Sequence, residues 1–285
     1  MIEAKNLKPT IGFIGQGFIG KNYADEFEER GFSVTRYALD SEYEKNKESI
    51  ALCDIVFVAV PTPTTPAGFD CSIVRLVLPV VGKGKIAVIK STLLPGTTES
   101  LQKEFPDIFV FHSPEFLRAK TAALDARKPE RNIVGMPITS FDYEKKARLI
   151  LSTLPQAPYE KICTSREAEI VKYFGNAFLY TKVVFANMMA DLSRALDTDF
   201  DVILEMVSSD PRIGKSHLNP IDDKGRGAGG PCFIKDFESL LRLYDDKVQD
   251  PLGSDVLKAL KRKNNELLSS SNKDTDLLYG VYGNL

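Results

Sequence analysis

A glycine-rich turn near the N-terminus has the spacing of a dinucleotide-binding motif. Its sequence, Gly15-Gln16-Gly17-Phe18-Ile19-Gly20, lies between a short apolar run and a helical pattern that continues through Phe27. The first glycine of such a turn permits a tight bend, the second lets a pyrophosphate approach the backbone, and the third allows close packing of helix on strand. The helix then offers free N–H groups to the phosphates. We predict that the motif binds a dinucleotide; a plain turn in a flavodoxin-like domain is the alternative.

The residue that would bind the adenosine ribose is less well defined. An acidic residue at the end of the second strand normally accepts the ribose hydroxyls. Asp40 follows Gly20 by twenty residues, so it is either this ligand or a helix N-cap. Arg36 would either favour a 2′-phosphate or point to solvent. We predict NAD rather than NADP as the cofactor, bound in part by Asp40.

Apolar runs alternate with helical patterns over residues 1–165. The run at 55–60 is entirely apolar, as expected for a central strand buried on both faces. The alternation predicts an α/β domain with a doubly wound, Rossmann-like parallel sheet. Residues 166–196 contain no proline and have helical periodicity, so one long helix should organise an all-helical domain at 166–268. The polar stretch 269–285 is predicted to be a poorly ordered tail.

The composition excludes several function classes. The chain has 37 Lys+Arg against 39 Asp+Glu, so it lacks the basic excess of a nucleic-acid-binding protein. No apolar run is long enough for a bilayer, and no signal peptide is visible, which predicts a cytoplasmic protein with no membrane partner. The four cysteines show no paired spacing, so neither a metal site nor a disulfide framework is predicted.

Six further blocks resemble the UDP-glucose/GDP-mannose dehydrogenase family and follow the order of that family. Together with the glycine turn they extend over residues 11–240, which makes the resemblance specific. The blocks are Val60-Pro61-Thr62-Pro63, Lys90-Ser91-Thr92, Ser113-Pro114-Glu115-Phe116-Leu117, Glu169-x-x-Lys172-x-x-x-Asn176-Ala177-Phe178, Asp210-Pro211-Arg212-Ile213-Gly214 and Gly229-Gly230-Pro231-Cys232-Phe233-Ile234-Lys235-Asp236.

The resemblance implies NAD-dependent oxidation of the C6 alcohol of a nucleotide sugar to a carboxylate. Cys232 would attack the aldehyde-level intermediate, because a thiolate is a strong nucleophile and its thioester hydrolyses readily. Lys172 and Asn176, four residues apart on a helix, would hold the substrate oxygen as it gains negative charge. Asp236 and Thr92 would position the attacking water, and Glu115 would act in acid–base transfer. The non-catalytic alternatives are that Cys232 is a buried structural residue and that Lys172 is a solvated helix residue.

The glycine turn, the position of Asp40 and the resemblance together give the predicted binding residues. The predicted cofactor ligands are Gly15, Gly17, Phe18, Ile19, Gly20, Asp40, Val60, Pro61, Thr62, Ser91, Thr92 and Lys235. The predicted substrate ligands are Glu115, Phe116, Leu117, Lys172, Asn176, Arg212 and Gly229. Arg212 could equally form an ordinary loop salt bridge. We also expect a homodimer formed through the long helix.

Three departures from the family pattern leave alternatives open. Ala38 stands where the family's ribose-binding acid is expected, and Ala228 and Pro231 replace the usual residues near Cys232. Only about forty residues follow Tyr244, fewer than the roughly 100 of a further domain, so we expect a truncated form lacking the nucleotide-sugar-binding domain. The alternatives are a two-electron dehydrogenase of a smaller hydroxy acid or sugar, resembling the β-hydroxyacid dehydrogenases, and a silent NAD-binding subunit that needs a partner chain.

Overall fold

The computed structural model describes residues 8–283, which form two compact units. The first contains the described residues up to Thr62 together with Asp70–Lys172, and the second contains Pro63–Phe69 together with the residues from Tyr173 onward. The strands are, in chain order, β1 (Ile11–Ile14), β2 (Val34–Tyr37), β3 (Ile55–Val58), β4 (Thr64–Thr65), β5 (Gly68–Phe69), β6 (Ile86–Ile89), β7 (Phe109–His112), β8 (Arg131–Met136), β9 (Tyr159–Thr164), β10 (Ile221–Asp222) and β11 (Gly225–Arg226).

Helices alternate with strands in the first unit and dominate the second. They are α1 (Phe18–Glu29), α2 (Lys47–Ile50), α3 (Ser72–Val77), α4 (Thr97–Glu104), α5 (Ala122–Arg127), α6 (Phe141–Thr153), α7 (Ser165–Ala195), α8 (Phe200–Ser208), α9 (Gly230–Lys247), α10 (Pro251–Ser270) and α11 (Thr275–Tyr282). None of the helices within residues 8–283 combines the length and apolar character that crossing a bilayer requires.

The first unit is built on a seven-stranded sheet with the order β2-β1-β3-β6-β7-β8-β9. Neighbouring strands are parallel except for β7 and β8, which are antiparallel. The strands β1, β3 and β6 are buried along their whole length, because helices cover both faces of the sheet. The rings of Phe13 and Phe57 stack at 5.1 Å in its core. The predicted Rossmann-like class is confirmed.

The parallel strands place their following loops at one edge of the sheet. The glycine turn follows β1, Val60 follows β3, Ser91 follows β6 and Ser113 follows β7. In open α/β sheets, ligands bind outside the carboxyl ends of the strands. This edge is therefore where the sheet can bind a dinucleotide.

The second unit packs α9, α10 and α11 with the long helix α7. Tyr180 of α7 stacks on Phe237 of α9 with 3.9 Å between ring centroids, and Val184 and Ala228 are buried in the same core. The short hairpin β4–β5 belongs to this unit. Its Thr64 hydroxyl lies 2.6 Å from the Ser239 hydroxyl on α9.

The unit boundary differs from the predicted one at residue 165. The predicted boundary is the start of α7, but the first turns of that helix belong to the first unit. The reason is that Glu169 accepts hydrogen bonds from the backbone N–H groups of Gly96 and Thr98, at 2.6 and 2.8 Å, at the start of α4. The burial of Glu169 raises its pKa to about 7.

The prediction of a poorly ordered tail at 269–285 is wrong for the residues that the structure describes. Residues 275–282 form α11, in which Leu278 and Val281 are buried against Ile234 and Leu268. Polar residues dominate the stretch, but its few apolar side chains have helical spacing and pack on α9 and α10. Residues 284 and 285 lie outside the described part of the chain.

Candidate active site

The glycine turn has the geometry required for close approach of a phosphate. Gly15 has a φ of +91°, and a Cβ at this residue would overlap the carbonyl oxygen of Ala59. A Cβ on Gly20 would overlap the carbonyl oxygen of Gly15, so this glycine allows α1 to pack closely. Gly17 is the N-cap of α1, and a Cβ there would meet no atom within 4 Å. The space beside Gly17 and the N–H groups of Phe18 and Ile19 therefore fit a pyrophosphate.

Asp40 and Arg36 lie close to the end of β2 in different environments. Since β2 ends at Tyr37, Asp40 lies three residues beyond it and is exposed. Its backbone carbonyl, rather than its carboxylate, accepts from the N–H of Tyr43 at 2.9 Å. Arg36 is mostly buried and pairs with Asp25 and Glu28, each at 2.7 Å. Two carboxylates already balance this guanidinium, which disfavours the binding of a 2′-phosphate there.

The loops after β3 and β6 are joined by side-chain hydrogen bonds. The Ser91 hydroxyl donates to the carbonyl of Val60 at 2.6 Å and accepts from its N–H at 3.0 Å. The Thr62 hydroxyl donates to the carbonyl of Thr92 at 2.8 Å. The intervening Pro61 is exposed. These hydrogen bonds join the loops after β3 and β6, which carry the predicted site residues Val60, Thr62, Ser91 and Thr92.

Glu115 and Lys172 form a buried ion pair in the first unit. The Lys172 ammonium donates to Glu115 Oε1 at 2.6 Å and to its carbonyl at 2.8 Å. The second carboxylate oxygen accepts from the N–H of Leu117 at 2.8 Å. The Lys172 ammonium also lies 5.7 Å from the ring centroid of Phe116. The solvated alternative for Lys172 is wrong, since this residue is 6% exposed.

A second buried lysine lies at the same edge of the sheet. Lys90 directly follows β6, is 3% exposed, and donates to the Ser113 hydroxyl at 3.1 Å. Its ammonium lies 4.5 Å from the ring centroid of Tyr23. Burial lowers the pKa of Lys90 to about 7, although the nearby Glu115 carboxylate acts to raise it. Burial also lowers the pKa of His112 to about 3, and the positive charge of Lys90 adds to this effect. The sequence offered one indication that Lys90 is buried, because this lysine immediately follows an all-apolar strand.

In the second unit, Asp236 contacts two other predicted site residues. It is 1% exposed, and its Oδ2 accepts from Asn176 Nδ2 at 2.6 Å. Its Oδ1 accepts from Lys235 Nζ at 2.5 Å. Cys232 precedes Asp236 by four residues on α9, so both lie on one face of that helix. Asp236 is thereby fixed one helical turn from the thiol.

Cys232 is exposed and lies in the first turn of α9. The helix begins at Gly230 with Gly229 as N-cap, and Pro231 occupies an early position where the missing N–H breaks no helical bond. The start of a helix carries a partial positive charge that favours an anionic sulfur. The exposure of Cys232 excludes its alternative interpretation as a buried structural residue.

The stretch before Cys232 is anchored by a residue that sequence reasoning missed. Asn264 on α10 is fully buried, and its Oδ1 accepts from the N–H of Ala228 at 2.7 Å. Its Nδ2 donates to the carbonyl of Ala228 at 3.0 Å. No local signal marks Asn264, because its partner lies 36 residues earlier in the chain.

Arg212 lies outside these clusters. Its side chain is 87% exposed and pairs with the nearby Asp210 at 2.6 Å. Among residues 8–283, no group of three or more His, Cys, Asp or Glu side chains is arranged to bind a metal ion. Apart from Arg212, most of the predicted residues gather in one group at the sheet edge of the first unit and another around α9 of the second.

The sheet with its glycine turn and the helical unit with its exposed thiol define a dinucleotide-binding protein with a second, helical domain. The NAD-binding-domain model of the UDP-glucose/GDP-mannose dehydrogenase family matches residues 36–149, and the family's central-domain model matches residues 166–266. The chain belongs to the UDP-glucose/GDP-mannose dehydrogenase family. The match to an NAD-binding domain confirms the predicted cofactor, NAD.

Curated relatives are similar over only part of their length. The UDP-glucose 6-dehydrogenase of Pseudomonas aeruginosa is 34% identical over 233 residues, which are 76% of this chain and 49% of that protein. The UDP-glucose 6-dehydrogenase of Rickettsia typhi is 30% identical over 248 residues, 83% of this chain and 55% of that protein. The chain thus spans about half the length of these relatives.

Solved structures show the same architecture. A UDP-glucose dehydrogenase from Pyrobaculum islandicum superposes with a TM-score of 0.77 at 26% identity, covering 93% of this chain and 70% of that one. A 3-hydroxyisobutyrate dehydrogenase from Mycobacterium tuberculosis has a TM-score of 0.70 at 15% identity, covering 95% and 98%. The second likeness concerns the fold alone.

Proposed function

We propose that this chain acts in the NAD-dependent oxidation of a nucleotide-sugar C6 alcohol to a carboxylate, as in the conversion of UDP-glucose to UDP-glucuronate. The observation that carries this proposal is the thiol of Cys232 in the first turn of α9, one turn before the buried Asp236 that binds Asn176. A structural role would not require an exposed thiol beside such a network. Family membership and the match to UDP-glucose 6-dehydrogenases support the substrate class.

The proposed chemistry balances over two oxidations. NAD, when bound, supplies the hydride acceptor for each of them, so two NAD are reduced per sugar. The C6 alcohol first loses a hydride and a proton to give the aldehyde. The Cys232 sulfur then bonds to the aldehyde carbon while the thiol proton passes to the aldehyde oxygen, which gives a thiohemiacetal. Loss of a second hydride and of the hydroxyl proton leaves a thioester. Water cleaves the carbon–sulfur bond, which releases the carboxylate and restores the thiol.

The residues around the two clusters support the remaining roles. The Lys172 ammonium and the Asn176 amide are donors suited to an oxygen that gains negative charge. The Glu115 carboxylate accepts a hydrogen bond from the Lys172 ammonium, which supports its proposed role in acid–base transfer. In this proposal Asp236 and Thr92 orient the attacking water. Phe116, Leu117, Arg212 and Gly229 are proposed substrate contacts.

The test counts NADH formed per sugar consumed, with UDP-glucose and GDP-mannose as substrates. Two NADH per sugar are expected from the native chain, and Cys232→Ala should lower this activity by at least about a thousandfold, because the thioester route is lost. Cys163→Ala is the matched control, since burial raises the pKa of that thiol to about 11 and makes it a poor nucleophile. One NADH per substrate, unchanged in Cys232→Ala, would instead indicate a two-electron dehydrogenase. NAD binding without turnover would indicate a subunit that requires a partner chain.

We also propose that a second copy of this chain covers the exposed apolar face of α7. Phe174 and Phe178 are 71% and 60% exposed, and their rings stack at 6.5 Å. Large exposed apolar side chains continue along the helix, and contiguous patches of this kind mark interaction surfaces. They are Phe185, Met188 and Leu192, followed by Leu196 directly after the end of α7.

The dimer proposal is tested by sedimentation velocity. Phe178→Glu should convert a dimer to a monomer at micromolar concentration, because an unpaired carboxylate would be buried in the interface. Leu252→Glu is the control, since Leu252 is 78% exposed but lies on α10. A native chain that sediments as a monomer would contradict the proposal.

A further inference from the structure

The C-terminal segment, defined here as residues 271–283, contacts the backbone just before Cys232. The Ser271 hydroxyl accepts from the N–H of Arg226 at 3.0 Å. The ammonium of Lys273 donates to the carbonyl of Gly227 at 2.8 Å. Asp274 Oδ2 accepts from the N–H of Gly230 at 2.7 Å. Three contacts therefore attach the C-terminal segment to the stretch at 226–230.

The C-terminal segment is itself fixed by packing. Lys273 is 4% exposed and forms an ion pair with Asp222 at 2.6 Å. Leu278 and Val281 of α11 are buried against Ile234 of α9. This apolar contact joins the C-terminal segment to the same helix that carries Cys232. Asp274 is thus held in place by buried residues that precede it (Lys273) and follow it (Leu278 and Val281) in the sequence.

The close approach of Asp274 depends on glycine at position 229. A Cβ on Gly229 would overlap Asp274 Oδ2 and lie 2.7 Å from Lys273 Cε. Asp274 itself has a φ of +50°, a left-handed conformation that aspartate tolerates better than most residues. Both features bring the carboxylate to the first N–H group of α9.

The Asp274 carboxylate changes the charge at the start of α9. A helix N-terminus favours an anion, and here the protein's own carboxylate binds there, two residues before Cys232. The charged groups of this region include Lys224, 3.6 Å from Asp274, and the ion pairs Lys273–Asp222 and Lys235–Asp236. A thiolate on Cys232 would therefore form close to an existing negative charge.

We propose that Asp274 is a positioning residue for Cys232: it fixes the first turn of α9 and lowers the fraction of thiolate at neutral pH. The inference rests on the proposed role of Cys232 as nucleophile. The family's central-domain match ends at residue 266, so the C-terminal segment lies beyond it. Asp274 is expected to act through the backbone of Gly230 and through its charge, without touching substrate.

The experiment measures alkylation of Cys232 by iodoacetamide across pH 5–10 in the full chain, with the modified peptide quantified by mass spectrometry. Asp274→Asn keeps an oxygen acceptor and removes the charge, so the midpoint of the rate profile should fall by about half a pH unit, with the same plateau. Asp274→Ala should shift the midpoint equally and raise the plateau about threefold, because the turn loses its anchor. Asp276→Asn, an equal charge change at an exposed position of α11, should match the native chain.

Three results would overturn the proposal. The first is a midpoint in Asp274→Asn that differs from the native value by less than about 0.1 unit, the resolution of such a profile. The second is an equal shift in Asp276→Asn, which would reflect net charge rather than contact. The third is an Asp274→Ala plateau equal to the native one. Since alkylation needs no turnover, these outcomes are distinct from a failure of the proposed dehydrogenase activity, which the NADH measurement reports.

Discussion

Two glycine-rich turns in this chain each precede a helix, and they obtain their geometry from different sources. At Gly15 and Gly20 the added Cβ would overlap neighbouring backbone oxygens, so the turn depends on backbone-to-backbone packing within the sheet edge. At Gly227 and Gly229 the nearest atoms belong to side chains of α10 and the C-terminal segment. The first turn is determined by close packing of backbone on backbone, whereas the second depends on side chains more than 35 positions away.

The helix ends differ correspondingly. Gly17, the N-cap of α1, has no side chain to occupy the start of the helix, and the space beside it is open. The start of α9 already bonds the carboxylate of Asp274. One helix N-terminus is thus suited to an external phosphate, while the other has an internal anion. A glycine motif before a helix therefore indicates ligand binding only where the protein leaves the helix end open.

The largest expected effect separates two glycines of the first turn. Gly15→Ala should lower the free energy of unfolding by at least about 3 kcal/mol, because alanine is strained at this φ and its Cβ overlaps Ala59. Gly17→Ala should change it by less than about 0.5 kcal/mol. The same Gly17→Ala change should weaken NAD binding at least about tenfold, because the Cβ enters the space assigned to the pyrophosphate. Urea unfolding and NAD titration measure the two quantities; equal stability losses would contradict the argument.

A smaller effect tests the side-chain dependence of the second turn. Asn264→Leu leaves both backbone groups of Ala228 unpaired, which should cost about 2–4 kcal/mol of unfolding free energy. Asn265→Leu is the matched control, because Asn265 Oδ1 has no hydrogen-bond partner among the described residues. If the two variants unfold at the same urea concentration, the turn does not depend on α10.

A pH titration gives the third test, in the first unit. The folded pKa of Lys90 is about 7, below its ordinary value of 10.5, so the folded chain binds fewer protons between these values. The free energy of unfolding should therefore rise with pH from about 7 to about 10, by at most about 1.4 kcal/mol per pH unit. This contribution is complete above the ordinary pKa of 10.5 and is lost as the pH falls to about 7. Lys90→Met should flatten that slope in urea unfolding, whereas the exposed Lys103→Met should retain it.

The strands of the first unit could be predicted wherever burial on both faces produced an unbroken apolar run. The strands β1, β3 and β6 are of this kind. The edge strand β9 was missed, because four of its six residues are exposed and its composition is polar. Burial, rather than strand propensity, was the usable signal.

The candidate site divides in the same way. Gly15, Glu115, Lys172, Asn176 and Cys232 stand in short motifs that resemble those of the UDP-glucose/GDP-mannose dehydrogenase family, and the set of motifs in one order made them identifiable. By contrast, Asn264 and Asp274 contact the Cys232 turn only through the fold, and their own neighbours in sequence are ordinary polar residues. A contact across 36 or 44 residues leaves no periodic trace in a single sequence.

The hairpin β4–β5 has a consequence for synthesis on the ribosome. Its Thr64 contacts Ser239, which is translated 175 residues later. At about 5–20 residues per second, roughly 9–35 seconds separate the emergence of the two partners. During that interval the hairpin has no docking surface, although the sheet strands on either side of it can already pair. A nascent chain at this stage would expose residues 63–69 to chaperones and proteases, and their protection would mark the moment at which α9 has folded.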